Sequence, residues 1–339
     1  MDAPLIGITM GDPAGIGPEV ILKAAARTQE RARLVVVGDP EVMAETGRRL
    51  GSPAPPLAPW DPGAPPKWRP GTVAVLGLSA GLSPAARVPG SPTPQGGEAS
   101  YRYVETGLRL ALEGRFAALV TAPINKRMWH AAGHRFAGHT ECLAALTGAG
   151  EVRMMLVGGP LRVVLVTTHV ALAAVPGALS VERVAATFSL AAAHLGRFHG
   201  LSRPRLALAA LNPHAGEGGV FGDEEARVLA PAVEAARRQG LLVEGPLAAD
   251  SLFVRAARGA FDAVVCLYHD QGLIPLKLLA WETGVNVTLG LPIVRTSPDH
   301  GTAYDIAGQG RADPTSLTAA ITLAVEMARH AAGARRRTT

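Results

Sequence analysis

Cysteine is nearly missing from this chain: Cys142 and Cys266 are the only two in 339 residues, far apart and outside any CxxC spacing. That excludes a disulfide framework and a cysteine-built zinc site, and it fits a reducing compartment. Aromatic residues are scarce at 4%, which leaves few platforms for stacking single-stranded bases. No apolar run reaches the roughly 18 residues of a membrane span. The opening MDAPLIGITMGDP has no basic stretch and passes at once into a strand and a glycine-containing loop, so no secretory signal is expected. Three familiar motifs are also missing. There is no GxGxxG dinucleotide fingerprint, no Lys-Ser/Thr of a P-loop and no HExxH helix of a zincin protease.

These absences point to a cytoplasmic protein without a membrane partner. The formal charge of +5 could suggest nucleic acid, but the visible basic cluster is Arg335, Arg336 and Arg337 in a tail after a helix. No nucleic-acid partner is expected, and the internal basic residues suit an anionic substrate better.

What is present is a chain 48% hydrophobic and 18% charged, long enough for two lobes around a sizeable core. Short apolar runs alternate with amphipathic stretches, which predicts an α/β fold with a largely parallel sheet. Strands are expected at 5–10, 34–37, 73–76, 118–122, 153–157, 162–167, 205–210, 263–267 and 285–289. Helices are expected at 18–26, 97–113, 181–198, 223–238, 250–258 and 314–332, the last capped by Asp313 ahead of Pro314. Proline-dense segments 51–70 and 79–97 read as a surface excursion and a long ordered loop.

In open parallel sheets ligands gather beyond the carboxyl ends of the strands, so the residues just after each apolar run are informative. His169 comes after one run, Asn212-Pro213-His214 after another, and His269-Asp270-Gln271 after a third. Neutral imidazole is a common nitrogen ligand for divalent transition metals, and three of them leave positions open for substrate. Each histidine alone reads first as a loop residue bonded to a nearby carbonyl, and it is the three together that bring the metal reading level with it. Asp250 precedes a helix, where it can act as the N-cap or stand near a metal. Gly11-Asp12-Pro13-Ala14-Gly15-Ile16-Gly17-Pro18-Glu19 joins a strand to a helix, either as a tight turn or as a site for an anion. Lys277, Asn286 and Arg295 cluster around the late strands among apolar neighbours, and Arg can grip a carboxylate or phosphate in a two-point fork. Gly138-His139-Thr140-Glu141 opens a helix, with Thr140 as its cap or as a ligand contact.

Taken in order, Gly11 to Glu19, Gly138-His139-Thr140-Glu141, Leu211-Asn212-Pro213-His214-Ala215-Gly216-Glu217, His269-Asp270-Gln271-Gly272 and Gly290-Leu291-Pro292 through Asp299-His300-Gly301-Thr302 closely resemble the 4-hydroxythreonine-4-phosphate dehydrogenases of pyridoxal phosphate biosynthesis. A more distant likeness joins His300-Gly301-Thr302-Ala303-Tyr304-Asp305-Ile306-Ala307-Gly308 to the adenosine-binding segment of isopropylmalate and isocitrate dehydrogenases. The resemblance implies their two-lobed fold, with the active site in the cleft between lobes and NAD or NADP bound without a Rossmann domain. The lobes would be 1–130 plus 296–339 on the cofactor side, and 131–295 with the metal ligands and dimer interface.

The resemblance also implies one divalent metal (zinc, magnesium or cobalt) on His169, His214 and His269, completed across a homodimer interface. Substrate contacts fall on His139, Thr140, Lys277, Asn286 and Arg295, and cofactor contacts on His300, Gly301 and Asp305. Lys277 and Asp250 are both candidates for the general base. The implied reaction oxidises 4-phosphohydroxy-L-threonine to 2-amino-3-oxo-4-phosphobutanoate, a β-keto acid that decarboxylates to 3-amino-2-oxopropyl phosphate. Its rivals are a paralogous dehydrogenase of erythronate or threonate 4-phosphate, and one acting on a carboxylated cyclic dihydrodiol. Glu217-Gly218-Gly219 leans toward the vitamin-pathway enzyme. A metal-dependent hydrolase needing no nicotinamide, or a non-catalytic metabolite sensor, would be readings of a different class.

Overall fold

Strand-length runs rich in Val, Leu and Ile need cover on both faces, and helices returning over a parallel sheet supply it. The computed structural model, which describes residues 3–51, 54–63, 71–78 and 82–337 (side chains only to 333), has this form. In chain order it runs β1 (Leu5–Thr9), α1 (Gly17–Thr28), β2 (Arg33–Gly38), α2 (Pro40–Leu50), β3 (Leu57–Pro59), β4 (Val73–Gly77), α3 (Pro94–Leu112) and β5 (Ala118–Thr121). Next come α4 (Lys126–Ala131), α5 (His139–Thr147), β6 (Arg153–Gly158), β7 (Leu161–Leu165), α6 (Val175–Ala178), α7 (Val181–His199), β8 (Arg205–Ala209) and α8 (Ala230–Arg238). The chain ends with β9 (Leu242–Leu247), α9 (Ala249–Ala257), β10 (Ala263–Cys266), α10 (His269–Ala280), β11 (Val285–Leu289), β12 (Arg295–Pro298) and α11 (Thr315–Arg337).

Backbone packing divides the chain into two units, Met1–Gly150 with Leu291–Arg329, and Glu151–Gly290 with His330–Thr339. In the first unit the strands lie in the order β3-β4-β2-β1-β5-β12, and every pairing is parallel. In the second the order is β11-β6-β7-β10-β8-β9. There β11, β6 and β7 pair antiparallel, and β7, β10, β8 and β9 pair parallel. The second core is one cluster that includes Leu156, Val163, Ala207, Val264, Leu273 and Leu276, so the inner side of α10 seals the sheet.

Several local expectations need correction. The N-cap of α9 is Ala248, and Asp250 sits inside the first turn with its carboxylate accepting from the Ser251 N–H at 2.8 Å. α5 is capped by Gly138, with no side-chain capping bond, so Thr140 is not the cap. Segment 79–97 is not loop throughout: α3 already starts at Pro94, where Thr93 Oγ1 accepts from Gly96 N at 3.0 Å. Arg335, Arg336 and Arg337 continue α11 and do not form a tail after it. Within 51–70 the strand β3 is formed, while residues 52–53 and 64–70 lie outside the described residues.

In the second unit, the end of α7 buries two imidazoles that no anion offsets. His194 and His199 have ring centroids 5.7 Å apart, and neither Nε2 has a hydrogen-bond partner among the described residues. Burial first, then His199 and Arg197, push His194 down to about 3. Burial first, then Arg162 and His330, push His199 down to about 4. Both stay neutral in the folded chain while the unfolded chain protonates near pH 6.5. Their contribution is therefore complete above pH 6.5 and is lost as pH falls toward the folded values. Each should remove up to about 2 kcal/mol between pH 6.5 and 5. Urea unfolding of the wild type and of His194→Gln/His199→Gln at both pH values should show the double variant with a clearly flatter pH dependence. An equal slope would refute this assignment.

Candidate active site

In the second unit β7, β10 and β8 are consecutive neighbours, with Val163 opposite Val264 and Ala263 opposite Leu206. The segments that leave their carboxyl ends therefore start from one edge of the sheet, and they carry His169, His269 and His214. The structure brings two of them together: the rings of His169 and His269 lie 5.8 Å apart at 40°. Within one chain, no group of three or more His, Cys, Asp or Glu side chains among the described residues is gathered closely enough to hold a metal ion. His214 instead packs near Phe221, at 6.4 Å between centroids.

The donor set suits a divalent transition metal. His269 Nδ1 lies 2.7 Å from Asp270 Oδ1. With Nδ1 facing that carboxylate, Nε2 is the ring nitrogen left to offer a metal its lone pair. His214 is displayed on an unusual turn. Five successive residues, His214 (φ 54°), Ala215 (56°), Gly216 (80°), Glu217 (44°) and Gly218 (66°), are left-handed. For each of the three that are not glycine this costs about 1–2 kcal/mol, and such strain persists only where the surroundings impose it.

Asp250 is exposed beyond β9, and Lys277 places its ammonium 5.3 Å from the Trp281 ring centroid on α10. Asn286 lies on β11 opposite Leu156, and its buried Oδ1 has no hydrogen-bond partner among the described residues. Within six residues of each histidine in sequence a large apolar side chain is strongly exposed, Leu172 (68%), Val220 (72%) and Ile274 (65%), with Leu278 (83%) further along α10.

In the first unit Arg295 opens β12, 2% exposed, and its guanidinium donates to Thr121 Oγ1 on β5 from Nε (3.2 Å) and Nη2 (2.6 Å). Burial lowers its pKa to about 10, with Glu141 acting the other way, so it is still a cation at neutral pH. His139 is held well below the usual imidazole value by burial first, then by the charges of Arg295 and Lys126. Its ring is therefore neutral, and its buried Nε2 has no hydrogen-bond partner among the described residues. Thr140 is the next residue of α5, half-buried. A buried cation and a neutral imidazole with an unmet nitrogen are suited to an anionic, hydrogen-bonding ligand.

The 300–308 segment is tied to the 11–19 loop. Ile16 N–H donates to Thr302 O at 3.0 Å. The Tyr304 hydroxyl donates to Asp12 Oδ2 at 2.8 Å and accepts from Asn125 Nδ2 at 2.8 Å. Burial raises the Asp12 pKa, partly offset by the bonds from Ala14 N–H and Tyr304. Glu19, also buried, accepts from the backbone N–H groups of Gly310 and Ala312 at 3.2 and 2.7 Å. Gly17 has to lack a side chain, since a Cβ there would lie 2.2 Å from Met10 O. Of the expected cofactor residues, His300 has a buried Nε2 with no partner among the described residues, Gly301 faces open space and Asp305 is exposed. The sequence reading assigned no role to Asp12, Asn125 or Tyr304. The one available signal was an acidic residue set inside a glycine- and proline-rich turn.

In one unit imidazoles follow three neighbouring strands, and in the other a buried arginine acts on a neutral histidine; on an α/β framework these are features of an enzyme. Residues 30–324 match the family described as pyridoxal phosphate biosynthetic protein PdxA, and the chain belongs to that family of oxidoreductases. It is 54% identical over 328 residues to a 4-hydroxythreonine-4-phosphate dehydrogenase of Desulfosudis oleivorans, covering 96% of each chain. It is also 47% identical to a D-threonate 4-phosphate dehydrogenase of Cupriavidus necator, covering 96% of this chain and 97% of that one. The crystal structure of a 4-hydroxythreonine-4-phosphate dehydrogenase from Klebsiella pneumoniae superposes with a TM-score of 0.88 at 42% identity, over 96% of this chain and 100% of that one. The α/β fold expected from the resemblance is thus the fold of this family. No helix among the described residues is long and apolar enough to cross a membrane.

Proposed function

We propose that this chain oxidises 4-phosphohydroxy-L-threonine with a nicotinamide cofactor, NAD or NADP, to the 2-amino-3-oxo acid, which then loses carbon dioxide. The observation that carries this reading is the buried Arg295, a cation at neutral pH, whose charge acts on neutral His139, on a chain 54% identical to a named dehydrogenase of that substrate. Arg295 takes an anionic group of the substrate in a two-point fork, with His139 and Thr140 beside it. Lys277 and Asn286 are assigned to the substrate as well, Asn286 through its unpartnered oxygen. His300, Gly301 and Asp305 are assigned to the cofactor. A bound nicotinamide would supply the hydride acceptor, and Lys277 and Asp250 are the two residues assigned to take the hydroxyl proton.

A divalent ion on His169, His214 and His269 would supply Lewis acidity at the substrate oxygen, during both oxidation and decarboxylation. Since one chain does not gather the three imidazoles, we assign completion of the set to a homodimer. The exposed apolar side chains that follow all three histidines in sequence support this, because a second copy would bury them. The two-lobed division into a cofactor side and a metal side belongs to the same reading.

D-threonate 4-phosphate is the second candidate, favoured by the Cupriavidus necator relative. It shares the carboxylate, hydroxyl and phosphate but lacks the amine. Initial rates of nicotinamide reduction with 4-phosphohydroxy-L-threonine, D-threonate 4-phosphate and D-erythronate 4-phosphate, with and without chelator, separate the readings. The first substrate should show the highest kcat/KM by at least tenfold, and chelator should abolish it. A higher value for either other phosphate would reassign the substrate, and chelator-insensitive turnover would refute the metal.

A further inference from the structure

The entry to the left-handed turn that displays His214 is held by a buried carboxylate. Glu225, 7% exposed, begins a single π-turn, Glu225–Leu229, closed by Ala230 N–H on the Glu225 carbonyl five residues back. Its Oε1 accepts from Leu211 N and Asn212 N, both at 2.8 Å, and its Oε2 accepts from Asn212 Nδ2 at 2.9 Å. Asn212 Nδ2 also donates to Glu224 Oε2 at 2.7 Å. Two glycines admit this clamp. A Cβ on Gly216 would lie 2.9 Å from Glu225 Oε2, and one on Gly222 would lie 2.5 Å from Asn212 Nδ2. The carboxylate thus grips the two residues just before Pro213, one residue short of His214, where the left-handed path begins. Local π-turns recur where a side chain must be aimed off the regular helical spacing.

We propose that Glu225 is a positioning residue for His214: with Asn212 as its arm, it fixes the turn so that the imidazole meets the metal in one orientation. This rests on the reading of His214 as a metal ligand. Preorganised support of this kind sets affinity, because a ligand on a loose turn must be ordered at the moment of binding.

The test uses metal-free full-length protein titrated with Co2+ against a competing chelator, monitored by the visible absorption of the bound ion. Glu225→Ala should weaken Co2+ binding by about 10- to 100-fold, the range typical of second-layer partners of metal ligands. Asn212→Ala, which keeps both backbone bonds, should weaken it about fivefold to tenfold, and serves if the first variant does not fold. Glu225→Gln keeps an oxygen for the two backbone N–H donors but turns an NH2 toward Asn212 Nδ2, so it should match Asn212→Ala, about fivefold to tenfold weaker than wild type and tighter than Glu225→Ala. A role confined to stability would lower the melting temperature of the metal-free protein and leave Co2+ affinity and spectrum unchanged, which would overturn the proposal. His214→Ala is the control: if it binds Co2+ like wild type, the ligand reading itself fails. If it loses the ion while folded Glu225→Ala and Asn212→Ala keep it, only the positioning role fails.

Discussion

His214→Ala should bind no stoichiometric metal and lose at least about a thousandfold in kcat, while its metal-free form stays as stable as the wild type. The first part rests on the chemistry of the cation, since several kcal/mol of charge stabilisation at the reacting oxygen correspond to a thousandfold or more. The second rests on the site. His214 is exposed, so truncation opens no cavity, and alanine inherits the same left-handed backbone. His214→Gly sharpens the contrast: it removes the ligand but relieves strain of about 1 kcal/mol, so it should be inactive and slightly more stable. Metal content by atomic absorption, turnover, and urea midpoints in chelator check all three. Retained metal with wild-type turnover would sink the histidine reading. Inactivity accompanied by a large loss of metal-free stability would show that the residue is structural.

The parts of the fold visible in the sequence were those whose burial obeys a simple period. All nine strands expected from apolar runs are present, because a strand covered on both faces needs continuous apolar sequence. The three that escaped notice break that rule. β12 reads Arg-Thr-Ser-Pro, yet all four residues are buried, with Thr296 Oγ1 donating to Ala320 O at 2.9 Å. β9 is interrupted by Gly245 and Pro246, and β3 is three residues long. α10 was missed for the opposite reason. Leu273 and Leu276 face the core while Ile274, Leu278 and Leu279 face outward, so no apolar stripe stands out, and Pro275 sits inside it. A helix apolar on both sides has no single stripe, and that conceals it from a periodicity argument.

The candidate site was legible only as positions along the chain. Histidine after an apolar run is visible in one dimension, and the adjacency of β7, β10 and β8 then sets the three segments side by side. The support beneath them was not legible. Glu225 lies 11 residues beyond His214, and its partners are mostly backbone N–H groups, which carry no sequence signal. Asp12 and Tyr304 meet across almost 300 residues of chain, a pairing that no local pattern encodes. Strand ends show where chemistry can happen; the bonds that hold those ends still emerge only with the fold.

Arg295 carries the other large expected effect. Its guanidinium is buried and still charged at neutral pH, and burial has lowered its pKa to about 10, so the free protein bears a desolvation penalty. Arg295→Leu removes that penalty together with the charge. It should be as stable as wild type or more so, by up to about 1–4 kcal/mol, as found when buried ions give way to apolar side chains. The loss should appear with substrate instead. Removing one partner of a buried charge pair costs about 3–5 kcal/mol, which is a fall in kcat/KM of roughly a hundred- to several-thousand-fold, mainly through KM. Arg295→Lys keeps a point charge without the fork and should fall between the two. Urea unfolding without substrate, set beside kcat and KM, reads both halves. A variant that is destabilised yet keeps its KM would place Arg295 in the framework of β12 and β5 and remove it from the substrate.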